Sequence, residues 1–282
     1  MKKFAGSLMS LILVLFLCTS NLWAEETMAP AEPEKFITQE AADVLSQEVP
    51  AVLTQEAPDV LTQAAELIDM EGLENYKKAL DLCMGAVKKD PNSFKANWMA
   101  AQACRLYGMD TQELGLSDWK DTCKKFGKKG MGYAEKAVKL NPKSEEGHYW
   151  YGMNVGIYSD SVSILTALKE GLKDKTQDSF EAAYKINKDY DNGGPIAALG
   201  RFWFVLPWPL DDEDLSMKYY REFQKTKHFG IPDNVQVHVN FGELLIDSRK
   251  TRKEGKALLE EVPKISKNKY WNDQAKALLD DL

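Results

Sequence analysis

From residue 72 onward, apolar side chains recur at steps of three and four, the spacing of one face of an α-helix. In GLENYKKALDLCMGAVKKDP these positions are Leu73, Tyr76, Leu80, Cys83, Met84 and Val87. We expect this helix to stop at Asp90, because Pro91 disfavours helical backbone in the residue before it. YAEKAVKLNP and SFEAAYKINKDY repeat the pattern and close at Asn141 and Lys188. The three segments predict amphipathic helices.

A helix rich in small and aromatic residues is predicted after each closing turn, in FKANWMAAQACRLYG, EEGHYWYGMNVGIYS and GPIAALGRFWFVL. Four further helices are predicted beyond Pro209, in DLSMKYYREFQK, PDNVQVHVNFGELLI, KEGKALLEEV and WNDQAKALLDDL. VQVHV alternates like a strand, but the Pro-Asp before it and the GELL after it favour a helix. The pattern therefore predicts an all-α fold.

A small residue lies five positions before Pro91, Pro142 and Lys188, at Ala86, Ala137 and Ala183. This resembles the second helix of the tetratricopeptide repeat, in which paired helices touch closely, and Gly152 matches the glycine at the family's helix crossing. The resemblance implies antiparallel helix pairs stacked in a superhelical array. The alanines are 51 and 46 residues apart, so we expect insertions in the repeats near 108–117 and 161–171.

Residues 147–210 combine a Trp-Tyr-Gly helix, a helix closing on Ile-Asn, an Ala-Leu-Gly-Arg helix and a Leu-Pro-Trp end. This order resembles the TatT-like T components of TRAP-type periplasmic transporters and the eukaryotic regulator-of-microtubule-dynamics group. The first resemblance implies a helical periplasmic protein that oligomerises and works beside a solute-binding protein. We therefore expect protein partners, with a periplasmic solute-binding protein and a second copy of this chain as candidates.

The first 24 residues have the pattern of a secretory signal peptide. Lys2 and Lys3 precede an apolar run from Leu8 to Cys18, and Ala24 is followed by acidic residues. The run is shorter than the roughly 20 residues that a membrane-spanning helix needs. We expect a periplasmic or otherwise exported chain that is soluble after cleavage near Ala24. A lipoprotein acylated at Cys18 is less favoured, because the preceding residue is a large leucine.

One octapeptide recurs four times over 38–68, as TQEAADVL, SQEVPAVL, TQEAPDVL and the shorter TQAAELI. Pro50 and Pro58 rule out a continuous helix through the first three copies. Residues 25–70 hold eleven acids and one base, which leaves residues 71–282 close to neutral. We predict a disordered acidic tether over 25–61 and a helical repeat domain over 62–282. The alternative is that the octapeptides form a docking ladder for a partner.

Candidate chemistry is sparse along the chain. No basic stripe with interleaved aromatic residues indicates a nucleic-acid partner. The histidines lack metal-ligand spacing, and no catalytic or phosphate-binding motif is present. Cys83 and Cys104 fall on apolar helix faces, where a thiol behaves as a small hydrophobe. We therefore expect no enzymatic activity, no metal and no cofactor.

The densest unusual cluster is Arg201, Trp203 and Trp208, with Pro207 and Pro209 flanking the last tryptophan. It forms either one wall of a ligand groove, with Arg201 meeting a carboxylate, or packing between repeats with Arg201 at a helix end. A second aromatic patch, which includes Trp150 and Tyr151, has the same two interpretations.

Two functions fit these observations. The first is an exported adaptor that serves a periplasmic TRAP-type importer and handles an apolar or acidic small ligand. The second is a general protein-interaction scaffold without such a ligand.

Overall fold

The computed structural model describes residues 59–282. The predicted signal peptide, the first two octapeptides and most of the third lie outside the described residues, and so do the predictions made for them. Within the described range the chain forms twelve α-helices and no strand, which confirms the all-α prediction. The helices are α1 Val60–Asp69, α2 Leu73–Lys89, α3 Phe94–Glu113, α4 Trp119–Leu140, α5 Glu145–Val162, α6 Ile164–Lys169, α7 Leu172–Asn187, α8 Tyr190–Val205, α9 Glu213–Phe223, α10 Val235–Asp247, α11 Arg252–Ile265 and α12 Lys269–Asp280.

The helices form antiparallel pairs in chain order: α1 with α2, α3 with α4, α5 with α7, α8 with α9, and α10 with α11. We call α1, α3, α5, α8, α10 and α12 the first helices, and α2, α4, α7, α9 and α11 the second helices. Each first helix from α3 onward also contacts the next first helix, so that the pairs stack in register. This is the predicted tetratricopeptide-like array.

Local sequence signals set the helix ends. The Ser93 hydroxyl accepts a hydrogen bond from the Ala96 amide at 3.2 Å, and an Asp212 carboxylate oxygen accepts one from the Leu215 amide at 2.8 Å. Both are N-caps, which satisfy amide groups that have no partner inside the helix. At the start of α8, residues 191–193 have left-handed backbone, and the helix continues regularly from Gly194.

Both insertions predicted in the repeats are present. In the first, α3 continues to Glu113 and α4 begins at Trp119, which lengthens this helix pair. In the second, the short helix α6 lies between α5 and α7. The segment VQVHV is helical and begins α10, as predicted. α1 begins at Val60, two residues before the predicted start near Thr62.

Small residues lie where helices approach closely. Ala137 and Ala183 are fully buried, and Ala86 is partly buried against the core between α1, α2 and α3. At Gly152 an added Cβ would stand 2.4 Å from the Phe180 ring, because α5 and α7 cross there. At Gly130 it would stand 2.0 Å from the Asn154 side chain. The small-residue pattern therefore marks the helix contacts, as the sequence predicts.

Polar bridges join successive second helices. Lys175 on α7 pairs with Glu135 on α4, and Lys188 donates to Glu222 on α9 at 2.9 Å. Arg221 on α9 binds Glu254 on α11 through both terminal nitrogens, a bidentate geometry. Within residues 59–282 no helix is both long enough and apolar enough to cross a membrane.

Candidate functional site

The first helices form the inside of a curve. Glu113, at the end of α3, accepts hydrogen bonds from the Trp271 indole at 3.2 Å and from the Asn268 amide at 2.8 Å, both on or beside α12. Three first helices, α5, α8 and α10, separate α3 from α12 along the array. A row whose second and last members touch must bend toward that side. We call the surface formed by α3, α5, α8, α10 and α12 the inner face.

Charged side chains of alternating sign cross this inner face, one from each successive first helix. We call them the inner charge row: Arg105 on α3, Asp160 on α5, Arg201 on α8 and Glu243 on α10. Arg201 donates to a Glu243 carboxylate oxygen at 2.7 Å, and its guanidinium lies 5.6 Å from the Phe204 ring centroid. The second half of the row is therefore internally paired.

Asp160 combines solvent exposure with a perturbed acidity. Burial by the surrounding protein raises the pKa of its carboxyl, while Arg105, Arg201 and a hydrogen bond with Gln112 act in the opposite direction. The side chain is nevertheless exposed to solvent. Both properties fit a side chain that has protein on several sides and is open to solvent on another.

Arg105 is the unpaired member of the inner charge row. Its Nε is buried and makes no hydrogen bond, and no carboxylate of residues 59–282 lies within ion-pair distance of its guanidinium. It still influences groups on α5, α8 and α12, since it lowers the pKa values of Tyr149, Asp191 and Tyr270 against larger opposing effects. Arg105 is therefore central to the inner face and lacks an acceptor.

Tyr270 brings α12 into the same space. Burial is the main cause that raises the pKa of its hydroxyl, followed by the charges of Asp160 and Glu113. Its ring meets the Trp271 ring edge to face at 5.0 Å. Tyr270 precedes Trp271, whose indole donates to Glu113 on α3, the helix that carries Arg105. The Tyr270 hydroxyl is thus a second donor, placed where α12 meets α3.

The five site residues predicted from sequence do not come together. Trp150, Tyr151 and Trp203 belong to one core cluster around α5, α7 and α8, in which the first two are buried and Trp203 is partly buried. The Trp150 indole donates to the Tyr190 hydroxyl at 2.9 Å, and Lys175 lies 4.7 Å from the Tyr151 ring centroid. These contacts describe packing between repeats, and ligand binding by these aromatic residues stays a prediction.

Arg201 and Trp208 lie elsewhere. The carboxylate that Arg201 meets is Glu243 of its own chain. Trp208 is 85 % exposed beyond the end of α8, so it does not fill an inter-repeat core. Sequence reasoning missed Arg105, Asp160 and Tyr270. The one sequence signal for Arg105 was that it is the single charged residue in the stretch 96–109.

Surface pockets occur outside the inner face. One of about 450 Å³ lies among α2, α3 and α4 and includes the lysines Lys128, Lys129 and Lys136. Another of about 200 Å³ lies among α4, α5 and α7 beside Tyr151. Neither contains a member of the inner charge row.

The three cysteines that the structure describes, Cys83, Cys104 and Cys123, are free and buried, and the first two lie among apolar residues as predicted. Burial raises the pKa of Cys83 and of Cys104 to about 12 and that of Cys123 to about 11. A thiolate is the nucleophilic form, so these thiols are poor nucleophiles in the folded protein. In the part of the chain that the structure describes, no three metal-ligating side chains cluster.

The profile of one protein family, Regulator of microtubule dynamics protein 1-3, matches residues 60–205, just over half of the chain. The chain belongs to the regulator of microtubule dynamics protein 1-3 family. The match covers α1 to α8 and hence Arg105, Asp160 and Arg201. Of the two resemblances drawn from residues 147–210, this is the one that the comparison supports, and no link to TRAP-type transporters is found.

One solved structure shares the helical-repeat fold of this chain. A thermophilic tetratricopeptide repeat protein of Thermus thermophilus is similar with a TM-score of 0.54 at 14% identity, over 78% of this chain and 97% of that one. Yeast Tom70 matches at 11% identity with a TM-score of 0.26, over 83% of this chain and 66% of its own. Comparison with curated protein sequences gave no match. At such identities the likeness to the Thermus protein shows the fold alone.

Proposed function

We propose that the helical domain is a non-enzymatic interaction scaffold that binds a segment of a partner polypeptide on its inner face. The observation that carries this proposal is the unpaired Arg105 beside the solvent-exposed Asp160. A partly buried guanidinium without a hydrogen-bond acceptor costs folding free energy, and the attraction of Asp160 does not supply that acceptor. A ligand that binds the inner face would supply the missing partner.

The dimensions favour a polypeptide. Packed helices lie about 8–10 Å apart, so the four helices of the inner charge row span about 25–30 Å. An extended chain covers about 3.3 Å per residue, so roughly eight residues would cross the row. Tyr270 and Trp271 add aromatic surface next to these charges, a composition common in protein interfaces.

Export and a transporter partner form the finer part of the proposal. The apolar run behind Lys2 and Lys3, with Ala24 after it, supports a cleaved signal peptide. In that case the partner would meet the scaffold outside the cytoplasm, and a periplasmic solute-binding protein remains the candidate that residues 147–210 predict. A mature N-terminus at Glu25, measured by mass spectrometry on protein from the extracytoplasmic fraction, would support export. An intact N-terminus in the cytoplasmic fraction would contradict it.

Photo-crosslinking tests the scaffold itself. A photoreactive residue at Met109, one helical turn beyond Arg105 on α3, lies on the inner face. The matched control carries the same residue at Lys139, which is exposed on the second helix α4. We expect the Met109 variant to capture one discrete partner reproducibly and the Lys139 variant to capture none. Equal capture at both positions would contradict binding on the inner face.

A further inference from the structure

The five arginine side chains of this protein differ in whether the folded chain provides them with a hydrogen-bond acceptor. The chain contains five, and three of them have acceptors: Arg201 on Glu243, Arg221 on Glu254 and Arg252 on the Ile246 carbonyl at 3.0 Å. Arg249 is exposed in a turn, where water solvates it. Arg105 alone among the five combines a buried donor atom with the absence of an acceptor.

We propose that Arg105 and the Tyr270 hydroxyl bind a carboxylate group of the ligand that enters the inner face. The guanidinium is a planar fork whose geometry matches the two oxygens of a carboxylate. The Tyr270 hydroxyl adds a donor from α12, on the far end of the array. The assignment rests on the proposed inner-face scaffold and specifies the chemical group that it recognises.

The surrounding charges select a carboxylate over a phosphate. Asp160 and Glu113 both act electrostatically on Tyr270, and Asp160 also acts on Arg105. A phosphate group carries up to two negative charges, so these acids would repel it more strongly than a carboxylate with a single charge. The same acids would favour a cationic or polar group next to the ligand carboxylate.

A carboxylate could come from a polypeptide or from a small organic acid. Both present the same group to Arg105, and the experiment must separate them. The probes are a pool of hexapeptides with free carboxyl ends, the same pool with amidated ends, sodium benzoate, and inorganic phosphate.

The Arg105 side chain provides its own reporter. In ¹⁵N-labelled full-length protein, five arginines give few Nε–H signals, and Arg105→Gln identifies the relevant one. We expect the carboxyl-ended peptides to shift this signal and the amidated peptides and phosphate to leave it unchanged. A shift with benzoate as well would assign the site to carboxylates of either source. If no carboxylate shifts the signal, the proposal is wrong.

Variants separate recognition from a structural role. Arg105→Gln removes an unpaired charge, so we expect an unchanged or higher melting temperature and about tenfold or greater loss of carboxyl-ended peptide affinity. Arg201→Gln is the matched control, because it leaves Glu243 without its partner and should lower the melting temperature. A lower melting temperature for Arg105→Gln with unchanged peptide affinity would overturn the proposal.

Two different results would contradict carboxylate binding at Arg105 and partner binding on the inner face. If amidated and carboxyl-ended peptides bind the inner face equally, the carboxylate assignment is wrong while inner-face binding stands. If the Met109 crosslinker captures nothing beyond the Lys139 control, the scaffold proposal itself is wrong.

Discussion

At the scale of single residues, buried polar groups that lack a hydrogen-bond partner lower the free energy of unfolding of this domain. His238 on α10 is one: it is buried, stacks on Phe229 at 4.1 Å between ring centroids, and its Nδ1 has no hydrogen-bond partner. Arg105 is another, on the inner face. The two differ in access, because His238 lies within the packed body and Arg105 lies beside the solvent-exposed Asp160. Only Arg105 is therefore placed to meet a ligand.

His238 should make the domain less stable in mild acid. Desolvation lowers its pKa from 6.5 to about 4, so the folded protein holds this histidine neutral where the unfolded chain takes up a proton. Stability is full above pH 6.5 and falls as the pH drops toward 4. Between pH 7.5 and pH 5 we expect a loss of about 2 kcal/mol from this group.

Denaturant unfolding at the two pH values measures the effect, with His238→Leu as the comparison. The variant removes the titrating group and keeps an apolar side chain, so its stability should fall by about 2 kcal/mol less between the two pH values. An identical pH dependence in both proteins would contradict the assignment to His238.

At the scale of helices, glycines decide how closely neighbours cross. Gly152 and Gly156 both lie on α5, one turn apart, and they test the same substitution in different surroundings. A Cβ at Gly152 would stand 2.4 Å from the Phe180 ring, whereas a Cβ at Gly156 would meet nothing within 4 Å. Both glycines lie in the same helix, but only Gly152 is packed against α7.

We expect Gly152→Ala to destabilise the domain by about 1–3 kcal/mol, because α5 and α7 would have to separate. Gly156→Ala should stabilise it by about 0.5–1 kcal/mol, since alanine favours a helix over glycine. Guanidinium unfolding of both variants checks this. A stabilised Gly152→Ala protein would mean that the two helices do not cross as closely as described.

The helices themselves follow from local sequence. Steps of three and four, prolines after Asp90 and Asn141, and the small residues Ala137 and Ala183 specify where helices begin, end and touch. These signals act within a few residues of each other. VQVHV is also helical because of local sequence: the Pro-Asp before it and the GELL after it favour a helix.

The candidate site could not be read in the same way. Arg105 and Asp160 are 55 residues apart, and Glu113 and Trp271 are 158 apart, so their proximity depends on the curvature of the whole array. Aromatic density drew attention to Trp150, Tyr151 and Trp203, which pack in the core. An unpaired charge has no sequence signature, because the absence of a partner is a property of the folded chain.

At the scale of the whole domain, the array curves until α12 meets α3 and so forms the inner face. Within residues 59–282, the hydrogen bonds that Trp271 and Asn268 donate to Glu113 report this closure. If the row were straight, the four steps from α3 to α12 would separate these helices by about 40 Å. In the curved array their side chains are in contact.

A distance measurement between spin labels at Leu114→Cys and Lys269→Cys tests whether α12 lies against α3. Both positions are exposed, and Cys83, Cys104 and Cys123 are buried, so labelling should be selective in a Cys18→Ser background. The curved array predicts one narrow distance distribution below about 25 Å, allowing for the two label arms and helix diameters of about 10 Å. A distribution centred near 40 Å would contradict the closure and remove the inner face as a binding surface.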